Sequence, residues 1–586
     1  MTTQNFMAVT YGYKEIYGFE GGDVARIAKE ISSYNLYSIL ETLCKISIRL
    51  FSHGQGNKDT QIHLVKDVFN DDLVLRKKIR FIIEKGFREK NISKWAIFTE
   101  QPLMLLVKIA LGYAQKTEGK EVKAEDLKQI GTWLLILTDV CGKSPLDTPI
   151  ALPLETQREE LRKAVARGYF VTAEERLLYR VARFHQIFFY LRKLHPEFDI
   201  DKRFAEATNG IILDKYISFC FYITAHWISL TAREIDIAHD WVIGIKQYFK
   251  ETKLTETDVT ESLKLLTLNV ANYEKDYKNA VDTILKGNDI YPFNFLPMQK
   301  HPLIVHDDCI VCPSPKFLLN KATDGIYWIL ENDLREKKSK DWSTLPTVWG
   351  DAFEEYMHNR LQNGLGSDYR KKIIFNDQEK FDGFINGAET VFPIEMKYAH
   401  WSLKAKTTGK KEDMMPTLNQ LFSKKKGLGQ IMRSLKELEK KIWSLPENMS
   451  GKKVVPILVV GEAMPMDAYN RRLYEEIALV NGVFYENSNI LPFIVLSAEE
   501  IEILEAIAVK DGNAAAEKLL VDYASLFKNR LPNGGYVREA MEFKNYLVSI
   551  GYPTETNKSL TKIYGDLIDA AAMGAFGKKL VHKPRA

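Results

Sequence analysis

KFDGFINGAETVFPIEMKYAH, Lys380–His400, decides how the C-terminal half of this 586-residue chain is read. Two apolar segments flank a connection containing Asn386-Gly387. Side chains alternate across a strand, so Glu395 and Lys397 point one way while Ile394 and Met396 point into the opposite layer. Twelve residues intervene between Asp382 and Glu395, a distance that suits adjacent antiparallel strands and brings the two side by side. Two carboxylates that close repel, and one of them normally keeps its proton. A divalent cation neutralises both, and magnesium favours one or two carboxylates completed by water and phosphate oxygens. Lys397 beside such a cation would position or deprotonate a water and stabilise charge on phosphate oxygens. The stretch therefore holds the parts for metal-dependent hydrolysis of a phosphodiester.

The elements around it read as mixed α/β from Trp349 to about Ser497. WGDAFEEYMHNRLQNGL is a helix ending at a glycine. At 100° per residue, Ala352, Phe353, Tyr356, Met357 and Leu361 share an apolar arc, with Glu354 at its edge and Glu355 opposite. KKIIFN, KFDGFIN and TVFPIEMKYA are strands. A lysine-rich connection leads to the helix GLGQIMRSLKELEKKIWSL. KVVPILVVG is a continuous apolar strand, DAYNRRLYEEIALV a helix and NILPFIVLS a further buried strand. The order predicts a sheet flanked by helices.

Asp382 followed by Glu395-Met396-Lys397 on the next strand resembles the PD-(D/E)xK nuclease superfamily, whose core is a helix, a three-stranded meander, a helix and a further strand. The residue before Asp382 is Phe381 rather than proline. The likeness spans roughly residues 345–500. It implies an α/β restriction-endonuclease-like domain in which Asp382 and Glu395 hold magnesium (manganese as its substitute), with the Met396 carbonyl as a further ligand. Lys397 would assist the water. Glu354, which follows an aromatic residue on the first helix, would hold a second metal or a metal-bound water. Gln430, near the start of the helix after the motif strands, would orient Lys397 or the substrate. A magnesium-dependent nuclease acting on DNA is the expected activity. RNA cleavage by the same fold, or a nucleic-acid-binding scaffold with an inactive core, are the alternatives. A large helical module on such a nuclease is similar to the build of bacterial restriction and anti-phage defence effectors.

Between the motif strand and the next helix lie Lys404, Lys406, Lys410, Lys411, Lys424, Lys425 and Lys426 against Glu412 and Asp413. A basic loop there would follow a phosphate backbone without reading sequence. Tyr398, His400 and Trp401 would stack on bases or pack.

The remainder of the chain sets the frame. A single core stops growing at roughly 250–300 residues, so two or three domains are expected. Residues 1–290 read as an all-helical recognition or regulatory domain, a site for a protein partner or a second copy. Residues 291–344 read as a connecting hairpin, with its turn at Asp307-Asp308, and a helix. Residues 345–500 form the nuclease core, and 501–586 a C-terminal helical cap containing the turn LPNGG. The net charge of +4 does not mark the whole molecule as a nucleic-acid binder. Five scattered cysteines make no disulfide framework, and the start of the chain carries no signal-peptide pattern, so the cytoplasm is the expected compartment. The apolar run Tyr216–Ala232 reads as a buried helix, not a membrane span. Cys309 and Cys312 stand where a hairpin packs apolar residues, and read as free thiols rather than zinc ligands. GKSPLDT at Gly142 lacks the upstream glycine of a phosphate-binding loop, which excludes a nucleotide-driven motor.

Overall fold

The computed structural model describes residues 9–142, 177–231, 243–271, 295–440, 451–528 and 541–576, apart from positions 20, 54–56, 89–94, 251, 400, 403–404, 406–410, 463, 465, 467, 484–487 and 554–556. The chain divides into two compact units that do not follow chain order. Residues 177–200 group with Leu334–Leu567, and the other unit takes the earlier residues together with Asp201–Asp333.

The second of these units is built mainly of helices, among them Leu36–His53, Glu100–Tyr113, Leu127–Gly142 and Leu213–Thr231. It is not all-helical as the sequence suggests. Ile304–His306 and Cys309–Val311 form the expected hairpin, and Ile243–Gly244 adds a third strand. Asp307 and Asp308 turn it with φ of 47° and 62°, the left-handed pair that matches strand twist. This hairpin belongs to the unit's own core rather than to a connector: the Cys312 carbonyl accepts a hydrogen bond from Cys44 Sγ at 2.8 Å. All five cysteines are free. No described helix is long and apolar enough to cross a membrane.

The other unit carries a six-stranded mixed sheet. Its elements include, in chain order, α1 (Leu177–Leu194), α2 (Leu345–Leu365), β1 (Tyr369–Phe375), β2 (Gln378–Asn386), β3 (Thr390–Lys397), α3 (Lys411–Phe422), α4 (Leu428–Glu439), β4 (Lys453–Val454), β5 (Ile457–Val460), α5 (Ala468–Val480), β6 (Ile494–Ser497), α6 (Ala498–Asp511) and α7 (Asn513–Ser525). The strand order is β6-β5-β3-β2-β1, with β4 also on β3. β1, β2 and β3 form an antiparallel meander, and β5 runs parallel to both β3 and β6.

Local chemistry explains most of these elements. β1 and β2 meet at Asn376-Asp377, both at positive φ (48° and 57°), a two-residue hairpin turn. At the β2–β3 turn the Glu517 carboxylate of α7 accepts the backbone N–H groups of Ala388, Glu389 and Thr390 at 2.8–3.0 Å. A Cβ at Gly387 would lie 2.5 Å from that carboxylate and would displace it. α2 ends at Gly366, with φ 56°.

Two expectations change. KVVPILVVG is not one strand: Pro456, which has no N–H to give a central ladder, splits it into β4 and β5. Part of the lysine-rich connection is helical, since Met414, Leu418, Leu421 and Phe422 of α3 are spaced to bury one face in the sheet's core.

The helices cover the sheet on both sides. Phe384, Val391, Leu458, Val460 and Val495 share a core with α3, α4 and α5. α2 packs against α1 and α6. Those three are tied by a buried network in which Arg183 of α1 donates to both oxygens of Glu502 at 2.6 and 2.9 Å, while the Tyr356 hydroxyl donates to the same carboxylate at 2.7 Å. Phe188 of α1 meets Trp349 edge-on at 6.0 Å. Thus α1, read from sequence as part of the N-terminal helical domain, is a structural member of the sheet-bearing unit, and α6 is packed into it rather than capping it.

Candidate active site

The β2–β3 register pairs Gly383 with Ile394, so the next step places Asp382 opposite Glu395. On the other side of β3, Leu458 and Val460 of β5 stand opposite Glu395 and Lys397. Two carboxylates and an amine thus emerge on a face that otherwise holds packed aliphatic groups. Glu395 is wholly buried and Asp382 nearly so. Lys397 Nζ lies 2.6 Å from Glu395 Oε1 and 3.4 Å from Asp382 Oδ2. The Met396 N–H donates to Asp382 Oδ2 at 2.7 Å, which fixes that carboxylate across the ladder. Met396 turns its side chain to the opposite layer.

Electrostatics follow from this crowding. Burial pushes the Glu395 carboxyl up to about 8, reinforced by Asp382 and opposed by Lys397. Burial works against the charged Lys397, but Glu395 and Asp382 outweigh it and hold the ammonium well above its ordinary value. Neither Glu395 oxygen has a well-directed hydrogen bond among the described residues; the close approach of Lys397 is an ion pair rather than an aligned bond. In this arrangement Lys397 is a donor and counter-ion and has no lone pair with which to act as a base.

Glu354 of α2 joins the group indirectly. Its Oε1 receives Lys372 Nζ at 2.8 Å and His358 Nε2 at 3.1 Å. Burial acts to raise its carboxyl, but these two donors prevail and bring it down to about 2. Lys372 also approaches Glu379 at 3.5 Å, and Glu379 shares a hydrogen bond with Asp382. Burial first, then Asp382, pushes Glu379 up to about 7. The chain Glu354–Lys372–Glu379–Asp382 therefore connects α2 to the motif strands. Glu355, expected to be solvated, is half-buried and pairs with Lys371.

Glu379, Lys372, His358 and Tyr369 escape the sequence reading. Strict alternation would send Lys371 and Lys372 to opposite faces, yet both reach α2. Lys372 has φ 50°, and the β1–β2 register slips by one residue between Ile373 and Ile374. Such a bulge re-aims side chains and leaves no reliable trace in one sequence. Gly383, a glycine inside a strand, is the signal that was available: it marks a close approach, here by the Tyr369 hydroxyl.

The other expected residues divide. Gln430 lies in the first turn of α4, partly exposed, and its backbone N–H donates to the Gly427 carbonyl at 3.0 Å. Its side chain makes no hydrogen bond among the described residues, to Lys397 or to any other. Lys424, Lys425 and Lys426 are exposed between α3 and α4, Lys411 opens α3, and Lys404, Lys406, Lys410 and His400 lie outside the described residues. Tyr398 packs on Phe353 and Trp349, and Trp401 is buried in the sheet's core, so these two rings are packing groups rather than free stacking platforms.

Among the described residues no group of three or more His, Cys, Asp or Glu is already disposed as a metal site; lysine ammoniums stand between the carboxylates instead. Comparison of the chain with family models, with curated proteins and with solved structures finds no match in any of the three.

Proposed function

We propose that this chain is a metal-dependent nuclease of the PD-(D/E)xK type that hydrolyses phosphodiester bonds in DNA. One observation carries the reading: Asp382 and Glu395 stand opposite each other on paired strands, with Lys397 within 3.4 Å of both. The residues suit magnesium or manganese. Glu395 is a buried carboxylate with unsatisfied oxygens, and burial, with Asp382 beside it, raises its carboxyl; a hard cation would offset both effects. Asp382, Glu395 and the Met396 carbonyl would hold that cation. Bound there, it would neutralise the carboxylates and polarise a phosphate oxygen.

The chain's own groups do the rest. The Met396 N–H keeps Asp382 in register with Glu395. Lys397, as an ammonium, donates to the phosphate and holds the attacking water in line. Glu354 and Glu379, bridged by Lys372, border the site on the side of α2. Gln430 and Lys424–Lys426 offer donors to the nucleic-acid backbone.

Matched DNA and RNA substrates incubated with magnesium or with EDTA test the reading, with Asp382→Asn as control. DNA is expected to be cut only with magnesium and only by the unaltered chain. Cleavage of RNA alone moves the substrate to the alternative class. No cleavage of either, with magnesium or manganese, would overturn the proposal.

A further inference from the structure

Glu354 is a long side chain on a helix surface, and three rotatable bonds make its carboxylate a poor fixed ligand unless something holds it. His358, one helical turn on, is buried, and its Nε2 lies 3.1 Å from Glu354 Oε1. Its other nitrogen, Nδ1, meets the hydroxyl of Tyr369, the buried first residue of β1. A carboxylate only accepts, so Nε2 carries the proton and donates to Glu354. In a neutral ring Nδ1 then accepts from the Tyr369 O–H. Every donor in this chain has an acceptor without a buried charge on the imidazole.

The backbone makes room for the arrangement. Tyr369 pairs with Ile385, and its hydroxyl leans over Gly383, where a Cβ would lie 2.7 Å from Oη. A histidine whose purpose was only to fill the core would not need a strand glycine to admit its hydrogen-bond partner.

We propose that Tyr369 and His358 are positioning residues that lock the Glu354 carboxylate for cation binding beside Asp382, a role that rests on the metal-dependent reading above. They touch neither substrate nor the reacting atoms; they act through Glu354. Outer partners of ligating groups commonly carry about 10- to 100-fold of metal affinity.

Calorimetric titration of the full chain with manganese chloride, without nucleic acid, tests this with Tyr369→Phe, Glu354→Gln and the double variant. Tyr369→Phe is expected to weaken binding about tenfold, and the double variant to bind no more weakly than Glu354→Gln alone. His358→Gln, whose amide still donates to Glu354, should retain more affinity than His358→Ala; melting curves confirm that each titrated sample is folded. Factors that multiply in the double variant, or manganese binding unchanged by Tyr369→Phe, would overturn the positioning role alone. An unaltered chain that binds no manganese would overturn it together with the nuclease reading.

Discussion

Replacing Lys397 with alanine is expected to lower magnesium-dependent cleavage by about a hundred- to a thousand-fold while leaving the chain folded. Lys397 is the cation that lies against both Asp382 and Glu395, and part of its side chain reaches the surface while both carboxylates are buried. No other side chain described at the site combines access with a donor aimed between the two carboxylates. Lys372, the neighbouring ammonium, is engaged by Glu354 and Glu379. Loss of Lys397 does not strand two buried charges, because Glu395 readily takes a proton in its buried place. The fold should therefore survive the loss of activity. Single-turnover cleavage of plasmid DNA beside a thermal melt separates the two effects. Cleavage that proceeds as before would remove Lys397 from the chemistry, and a collapsed melt would make it a structural residue.

The second large effect is on stability and depends on pH. In EDTA, Glu395→Gln is expected to melt above the unaltered chain, by a margin that grows from pH 5 to pH 8. Glu395 ionises near 4.5 when unfolded and near 8 when folded. A carboxyl group raised in this way favours the folded state while protonated. That contribution is complete below about pH 4.5 and is lost as pH rises through about 8. Glutamine does not titrate and loses nothing over that window. The margin near pH 8 should be on the order of a few kcal/mol, reduced by the attraction of Lys397 to the charged form. Saturating manganese should reverse the order, since a cation that binds only the folded chain stabilises the form that retains its ligand. A margin that stays constant with pH would mean that Glu395 keeps its ordinary ionisation.

The strands of the site were legible because a period of two is hard to disguise. Asp382, Glu395 and Lys397 interrupt otherwise apolar strands, and the turn between them sets their distance; the observed register places them as that spacing predicts. The apolar arc of α2 was equally plain: Ala352, Phe353, Tyr356, Met357 and Leu361 are all buried. What lay hidden depends on long-range contact or on backbone irregularity. Arg183 and Glu502 are 319 residues apart, so nothing local reveals that α1 belongs with the sheet. Glu379 and Lys372 reach the site only because the ladder slips and Lys372 takes a left-handed conformation. The helix Lys411–Phe422 was masked by its charged neighbours, although its apolar residues already had helical spacing. Pro456 is visible in the sequence and divides its strand, for a proline in a central ladder has no N–H to offer.

A metal-dependent nuclease needs Asp382 and Glu395 to hold one divalent cation between them, which would take over the charge Lys397 now supplies. Anomalous diffraction from crystals soaked in manganese tests it most directly. A peak is expected between the Asp382 and Glu395 carboxylates, with Lys397 withdrawn from at least one of them. Saturated crystals with no peak there, and with Lys397 still bridging both carboxylates, would contradict it.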